Sequence, residues 1–235
     1  MKFGLSLSIF LLPHVGHAAT IFALAGPNNG QPSNSIGYAG NISYSTAGGV
    51  SEATVKFGSA FARAYSNCPS GSTYCGANAI ASFSDAITIL DADGILQANV
   101  QLLAFVSFAD GFAASQFTFG SLSRYSQGSF LQHFTAGNGL AFSGSVSVFA
   151  SDFAPWDPIV GSEDDRAHLT VDFSVLNSNG QPLSGFRYSS DSGTDYKLAG
   201  GVFVAPEPTT MMFVPVGFLL MVLFGARQRR HILKV

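Results

Sequence analysis

The chain has 235 residues, 47% of them hydrophobic and only 11% charged, with a net charge of −3 at pH 7. That apolar content excludes a charge-rich disordered protein, and the lack of a basic excess argues against partners held through phosphates, nucleic acid above all. Two cysteines are too few for a scaffold built on disulfides.

At the N-terminus Lys2 precedes an uncharged stretch, Phe3 to Leu12, which Pro13 breaks. Gly16, Ala18 and Ala19 follow. This order of a basic start, an apolar centre and small residues predicts a secretory signal peptide over residues 1–18, cut after Ala18. An uncleaved N-terminal anchor is the alternative. No cysteine follows the apolar stretch, which excludes a bacterial lipoprotein anchor.

Residues 19–205 then form one domain by length, long enough to bury a core. This stretch holds six Lys and Arg against thirteen Asp and Glu, a net charge near −7 that the basic C-terminus masks. An acidic surface disfavours nucleic acid and anionic lipid as partners. Pro27 to Gly49 is rich in Gly, Asn and Ser and reads as a loose arm. Asn41-Ile42-Ser43 fits a glycosylation acceptor.

Several segments alternate apolar and polar residues with period two, the mark of a strand with one face on a core and one in water. Val55, Phe57 and Phe61 form such a row. Val100, Leu102, Ala104, Val106 and Phe108 form another, and Leu103 and Phe105 make its second face partly apolar, as expected at a sheet centre. Phe142, Val146 and Val148 oppose Ser143, Ser145 and Ser147. From Leu169 to Val175 every odd position is apolar and every even one polar.

Asp91-Ala92-Asp93-Gly94 and Asn177-Ser178-Asn179-Gly180-Gln181-Pro182 separate apolar runs and read as hairpin turns. Ser189 to Tyr196 reads as a polar loop, and Lys197 to Val204 as the last strand. Phe is the dominant aromatic and suits a layer between two sheets. Helical periodicity is absent between the termini. The expected fold is all-β: an antiparallel β-sandwich, jelly-roll-like, of eight or more strands.

Chemistry-bearing residues are sparse. His133 and His168 are the domain's two histidines, and no Gly-x-Ser-x-Gly elbow accompanies its many serines, so no catalytic set is expected. Asp91 and Asp93 have a spacing that can chelate Ca²⁺, but turn chemistry explains them fully. Glu163-Asp164-Asp165 is the densest acidic run. It reads as a solvated loop ahead of the strand at His168, with a structural Ca²⁺ site as the sharper alternative. No other cofactor is expected. Trp156, between Pro155 and Pro158, either covers one end of the core or stacks on a sugar ring.

The last thirty residues form a three-part tail. Pro206 and Pro208 hold Glu207 in an extended, stiff peptide. Residues 209–226 then run without a charge, and eighteen helical residues reach roughly 27 Å against a hydrocarbon core of about 30 Å. Arg227, Arg229 and Arg230 open a basic end, 227–235, which prefers the cytoplasmic side and leaves the domain outside. A plain single-pass anchor is the bland alternative.

Pro206-Glu207-Pro208, Thr209-Thr210, the apolar run and the Arg227-to-Arg230 cluster together resemble the PEP-CTERM sorting signal of exported bacterial proteins. The resemblance covers residues 204–230 only. Pro215 inside the apolar run and His231 to Val235 beyond the arginines depart from a simple form of it. The resemblance implies recognition and removal of the tail by an exosortase, a membrane transpeptidase-like protease. It also implies a non-enzymatic role at the cell surface or in the extracellular matrix, beside polysaccharide. A carbohydrate-binding module and a secreted hydrolase remain the alternatives for the domain.

Cys68 and Cys75 bracket Pro-Ser-Gly-Ser-Thr-Tyr, a segment able to turn back on itself, and export would carry it to an oxidising compartment. A local disulfide is expected, and closing so short a loop contributes about 2 kcal/mol. Alkylation without reductant, read by mass, should leave both thiols unmodified; two alkylated thiols would refute the bridge.

Overall fold

The computed structural model describes residues 19–27, 34–46, 48–67, 75–107, 111–152 and 163–205. The signal peptide (1–18), Cys68, Trp156, the Pro206-Glu207-Pro208 motif, the uncharged run 209–226 and Arg227, Arg229 and Arg230 lie outside them. The chain divides after Val204 into two units, and only Ala205 of the second is described.

Alternating side chains set the strands. In chain order these are β1 (Thr20–Pro27), β2 (Asn34–Ile36), β3 (Gly40–Thr46), β4 (Gly49–Lys56), β5 (Ser59–Ser66), β6 (Cys75–Ile89) and β7 (Gly94–Phe105). Then come β8 (Phe112–Phe119), β9 (Leu122–Arg124), β10 (Gly128–Phe134), β11 (Gly139–Asp152), β12 (Glu163–Leu176), β13 (Phe186–Ser190) and β14 (Gly201–Phe203). The architecture is all-β, with two sheets face to face. One runs β14-β13-β6-β11-β8-β9, with β1 pairing β6 and β2 pairing β1. The other runs β10-β7-β12-β5-β4-β3. Every pairing is antiparallel except the short parallel one between β13 and β14. β6 carries β1 along residues 77–84 and β13 along residues 87–89, both on one edge, with β11 on the other.

The alternation seen in the sequence is the burial pattern. On β12 each odd residue from Glu163 to Val175 is buried, and on β11 Phe142, Val146 and Val148 face inward. The core has two halves. Ala23, Ala53, Ala62, Ala64 and Ala79 carry the sheets close together at one end. At the other, Phe117, Phe119, Phe142, Phe173 and Tyr196 interlock, with Phe142 and Phe173 ring centroids 4.7 Å apart and Tyr196 edge-on to both at 5.5 Å. Burying each such ring contributes about 1.5–3 kcal/mol. Between the halves, a Cβ on Gly144 would lie 2.6 Å from Phe83 Cζ and 2.9 Å from Leu169 Cδ2, so only glycine lets these two side chains fill that gap.

Several expectations need correction. The row Val55–Phe57–Phe61 is broken, because the chain reverses at Phe57-Gly58, where Gly58 takes φ 82°. Val55 faces the core, while Phe61 lies on the outer face against His168, with centroids 6.1 Å apart. The expected hairpin at Asp91–Gly94 joins strands of opposite sheets and is an arch across the sandwich. At Asn177–Pro182 the chain does turn back on itself, with Asn177 N donating to Gln181 O at 2.8 Å, Leu183 N to Val175 O at 2.9 Å and Leu176 bridging Pro182, before it crosses to β13 in the opposite sheet. The stretch 27–49 holds β2 and β3. The last strand covers only Gly201–Phe203. β7 is next to the edge strand β10, and the sheet centre is β12 with β5. β10 pairs β7 only as far as Val100, so among the described residues β7 from Gln101 onward has β12 alone beside it, and Leu103 and Phe105 stand about 60% exposed.

The loop after β13 is fastened by a buried carboxylate. Asp85, 2% exposed, accepts from Ala86 N (2.8 Å), Ser192 N (3.0 Å), the Ser192 hydroxyl and the Tyr196 hydroxyl (2.6 Å). Burial, then the bond to Asp85, pushes the Tyr196 phenol well above its ordinary range. Beside it Tyr188 donates to Asp195, and burial first raises its phenol to about 12. Removing the Asp85 carboxylate leaves buried donors without an acceptor. Asp85→Ala should therefore lower stability by about 3 kcal/mol or more in urea unfolding, and Tyr196→Phe by about 1–2 kcal/mol. A loss under 1 kcal/mol for Asp85→Ala would show that the loop is not held this way.

Candidate functional site

The acidic run at 163–165 is the first of the predicted sites to change character. It is the beginning of β12 and not a loop, so strand alternation splits its three carboxylates between two faces. Asp164 points outward. Arg63 Nε and Nη2 reach its two oxygens at 2.8 and 3.0 Å, and Arg166 binds the same carboxylate from two residues along the strand. Arg63 is the cross-strand neighbour, since Asp164 pairs Tyr65 and Arg166 pairs Arg63. The Arg166 hydrogen bond, with Arg63 behind it, holds the Asp164 carboxyl down at about 2.

Glu163 and Asp165 point inward and are buried, at 2% and 0% exposure. Ser151 N donates to Glu163 Oε2 at 2.6 Å. Ser107 N and Oγ donate to Asp165 Oδ1 at 2.8 and 3.3 Å, and Ser107 Oγ also accepts from Asp164 N at 2.7 Å. Burial raises the Asp165 carboxyl above its ordinary value. The three-residue set therefore does not converge. Asp164 belongs to an arginine clasp, and the two inward carboxylates form their own pair. Among the described residues no group of three or more His, Cys, Asp or Glu gathers.

The other predicted residues are dispersed. Asp91 takes Arg187 N and Nε, each at 2.8 Å, and Asp93 takes Ala136 N at 2.7 Å, so each fastens an arch. His133 is exposed on β10 opposite Ile95, and His168 lies on β12 opposite Leu103. Eight residues of β7 separate those partners, roughly 26 Å of strand, so the histidines share no site. Cys75 opens β6 and is not a free thiol. Its expected partner Cys68, and Trp156, fall outside the described residues.

Two surfaces went unseen in the sequence. On the outer face of the six-stranded sheet, Phe61, Leu103, Phe105 and His168 line an open, largely apolar depression of about 640 Å³ beside Arg166. The signal for it was present in the second apolar face of β7. On the outer face of the other sheet, Ser82, Ser84, Gln116, Thr118, Ser143 and Ser145 line a trough of about 370 Å³ without a charged group. Its hydroxyls and amide can exchange hydrogen bonds with another polyhydroxyl surface.

The Asp164 clasp makes a pH-dependent contribution of known sign. Its carboxyl is depressed below the unfolded value, so the contribution is present above about pH 4 and is lost as pH falls toward 2. Asp164→Asn should cost about 1 kcal/mol at pH 7, and the gap to wild type should close below pH 3 in parallel thermal melts. An unchanged gap down to pH 2 would contradict this.

No protein-family model, no curated protein and no solved structure matches the chain.

Proposed function

We propose that this is an exported bacterial cell-surface or extracellular-matrix protein, sorted by a PEP-CTERM tail and processed by an exosortase. It acts in a polysaccharide context as a structural or adhesive element and not as an enzyme. The observation that carries the reading is an order in the sequence: Pro206-Glu207-Pro208, an uncharged span, then Arg227, Arg229 and Arg230, in a chain that opens with an export signal. The signal peptide brings the domain across the inner membrane, and the apolar run 209–226 forms one membrane helix of the precursor. The β-sandwich, jelly-roll-like in its alternation between sheets, is then the part displayed or released.

A carbohydrate-binding module is the second reading. It is favoured by the uncharged hydroxyl trough over β6, β8 and β11, whose chemistry suits a neutral glycan. A structural Ca²⁺ ion in either reading would belong to Glu163 and Asp165, without Asp164.

Glu207 is the only charge in the extended peptide before the span, so an enzyme reading that peptide reads this carboxylate. In a strain that has the processing enzyme, wild type should lose residues 227–235 and leave the membrane fraction. Glu207→Ala should stay larger and membrane-held. Intact mass and fractionation decide it: a wild-type protein that keeps Arg227 to Val235 makes the tail a permanent anchor and ends the sorting reading.

A further inference from the structure

The registers of the eight-stranded sheet lay out its outer face in rows. Thr20, Ser84, Ser143, Thr118 and Ser123 stand opposite one another in turn across five strands. Two residues along, Phe22, Ser82, Ser145 and Gln116 form the next row across four. The middle of both rows is serine, so the floor over β6 and β11 is low, with Thr20 on one side and Gln116 and Thr118 on the other. This hollow of about 370 Å³ runs on into one of about 240 Å³ that shares Ser84, Thr118 and Ser143 and reaches Ala141. The groove so formed follows β11 from Ser145 to Ala141, roughly 13 Å of strand.

The sides of the groove are held, while three of its floor hydroxyls are free. Thr20 and Ser84 bond each other at 2.8 Å, Gln116 Nε2 donates to Ser123 at 2.7 Å, and the Thr118 hydroxyl lies 3.3 Å from that of Ser123. Ser82, Ser143 and Ser145 make no side-chain hydrogen bond to another described residue, so each can both donate and accept. Asp85 borders the second hollow, but it is buried and its oxygens are taken by Ser192 and Tyr196. The groove therefore presents no charge. Beside its Ser82 end, Phe22 is 39% and Ile80 37% exposed. Phe22 pairs Ser82, two residues from Ile80, so the two are diagonal neighbours and form one apolar platform.

An uncharged hydroxyl floor next to an apolar platform matches a sugar, which carries hydroxyls on its rim and bare C–H on its ring faces. A lipid tail satisfies the platform alone. A polysaccharide of uronic acids is repelled by a domain of net charge near −7 whose groove offers no cation. We propose that this groove binds a linear neutral glycan along β11, bonded through Ser82, Ser143 and Ser145 with one ring stacked on Phe22 and Ile80. The proposal rests on the carbohydrate-binding reading and assigns that reading its ligand class, the axis of the ligand and the contact residues.

The test uses the purified full chain in a detergent without a sugar headgroup, titrated by calorimetry with cellohexaose, maltohexaose and hexagalacturonate. At least one neutral hexasaccharide should bind with a Kd of about 1 mM or below. Hexagalacturonate should bind about tenfold more weakly or not at all. Phe22→Ser and the Ser143→Ala/Ser145→Ala double variant should each weaken binding about fivefold. Ser145→Arg, which fills the floor, should abolish it. Leu103→Ser, on the outer face of the other sheet, should leave it unchanged, which separates this site from adhesion by any exposed apolar group. Thermal melts close to wild type identify the variants that keep the fold, and the serine-to-alanine pair, which removes only two surface hydroxyls, keeps the test valid if Ser145→Arg does not. Neutral binding that survives these groove variants, or that is lost with Leu103→Ser, would overturn the site and leave the carbohydrate reading to another surface. Hexagalacturonate bound as tightly as the neutral sugars would overturn the ligand class alone. No binding of any of the three would overturn both the proposal and the reading beneath it.

Discussion

Among the described strands, eight of the thirteen connections carry the chain from one sheet to the other. That constraint governs everything else. Only β3, β4 and β5 form a run of neighbours within one sheet, and β6 to β8 alternate sheets at every step. Most sequence neighbours therefore meet only through the layer between the sheets, and most hydrogen-bonded neighbours are distant in sequence: β6 pairs β11, and β5 pairs β12. Neither sheet can assemble before the other, because each is threaded through its partner. Such a topology delays the reward for loop closure and predicts slow, all-or-none folding.

Since the layer is apolar, polar groups that secure it sit at its ends. Asp85 fastens the loop after β13, Asp91 and Asp93 fasten arches, and Glu163 and Asp165 gather strand ends from both sheets. A carboxylate accepts several backbone donors at once, so one side chain can tie two or three segments whose N–H groups the ladders leave unpaired. This use of acids explains why a domain with few charges spends most of them on Asp and Glu. It also accounts for their positions: these acids serve arches and strand ends, while the outer faces carry Ser, Thr, a patch of Phe and Leu, and the Asp164 clasp with Arg63 and Arg166.

Much of this was legible in the sequence, though unevenly. The alternation over 169–175 and 142–148 is a direct imprint of one buried face, so those strands and their inward residues could be read from spacing alone. Sheet membership could not. Asp91–Gly94 has the chemistry of a reversal, but a reversal fixes the next strand's direction and leaves open whether it pairs beside its predecessor or across from it. The acidic run misled for a related reason. Three adjacent charges read as solvent-facing, whereas a strand sends every second one inward, and the backbone donors at Ser107 and Ser151 that make this tolerable come from 56 and 12 residues before Glu163. Phe61 was assigned to the core because Gly58 was not seen to reverse the chain before it. The outer apolar depression followed from the short reach of β10, which no local pattern reports.

The graded core makes the two ends of the sandwich fail in opposite ways. Where phenylalanines meet, the hazard is lost volume: truncating Phe142 or Phe173 opens a void among rings that cannot collapse to fill it. Where alanines meet, the hazard is added volume. Ala53, Ala62 and Ala79 are wholly covered, so one extra methylene there acts as a wedge that pries the sheets apart. Drift in sequence should accordingly be filtered by size from above at one end and from below at the other. A wedge at the alanine end would be felt along both sheets, because the chain crosses the gap at most of its connections.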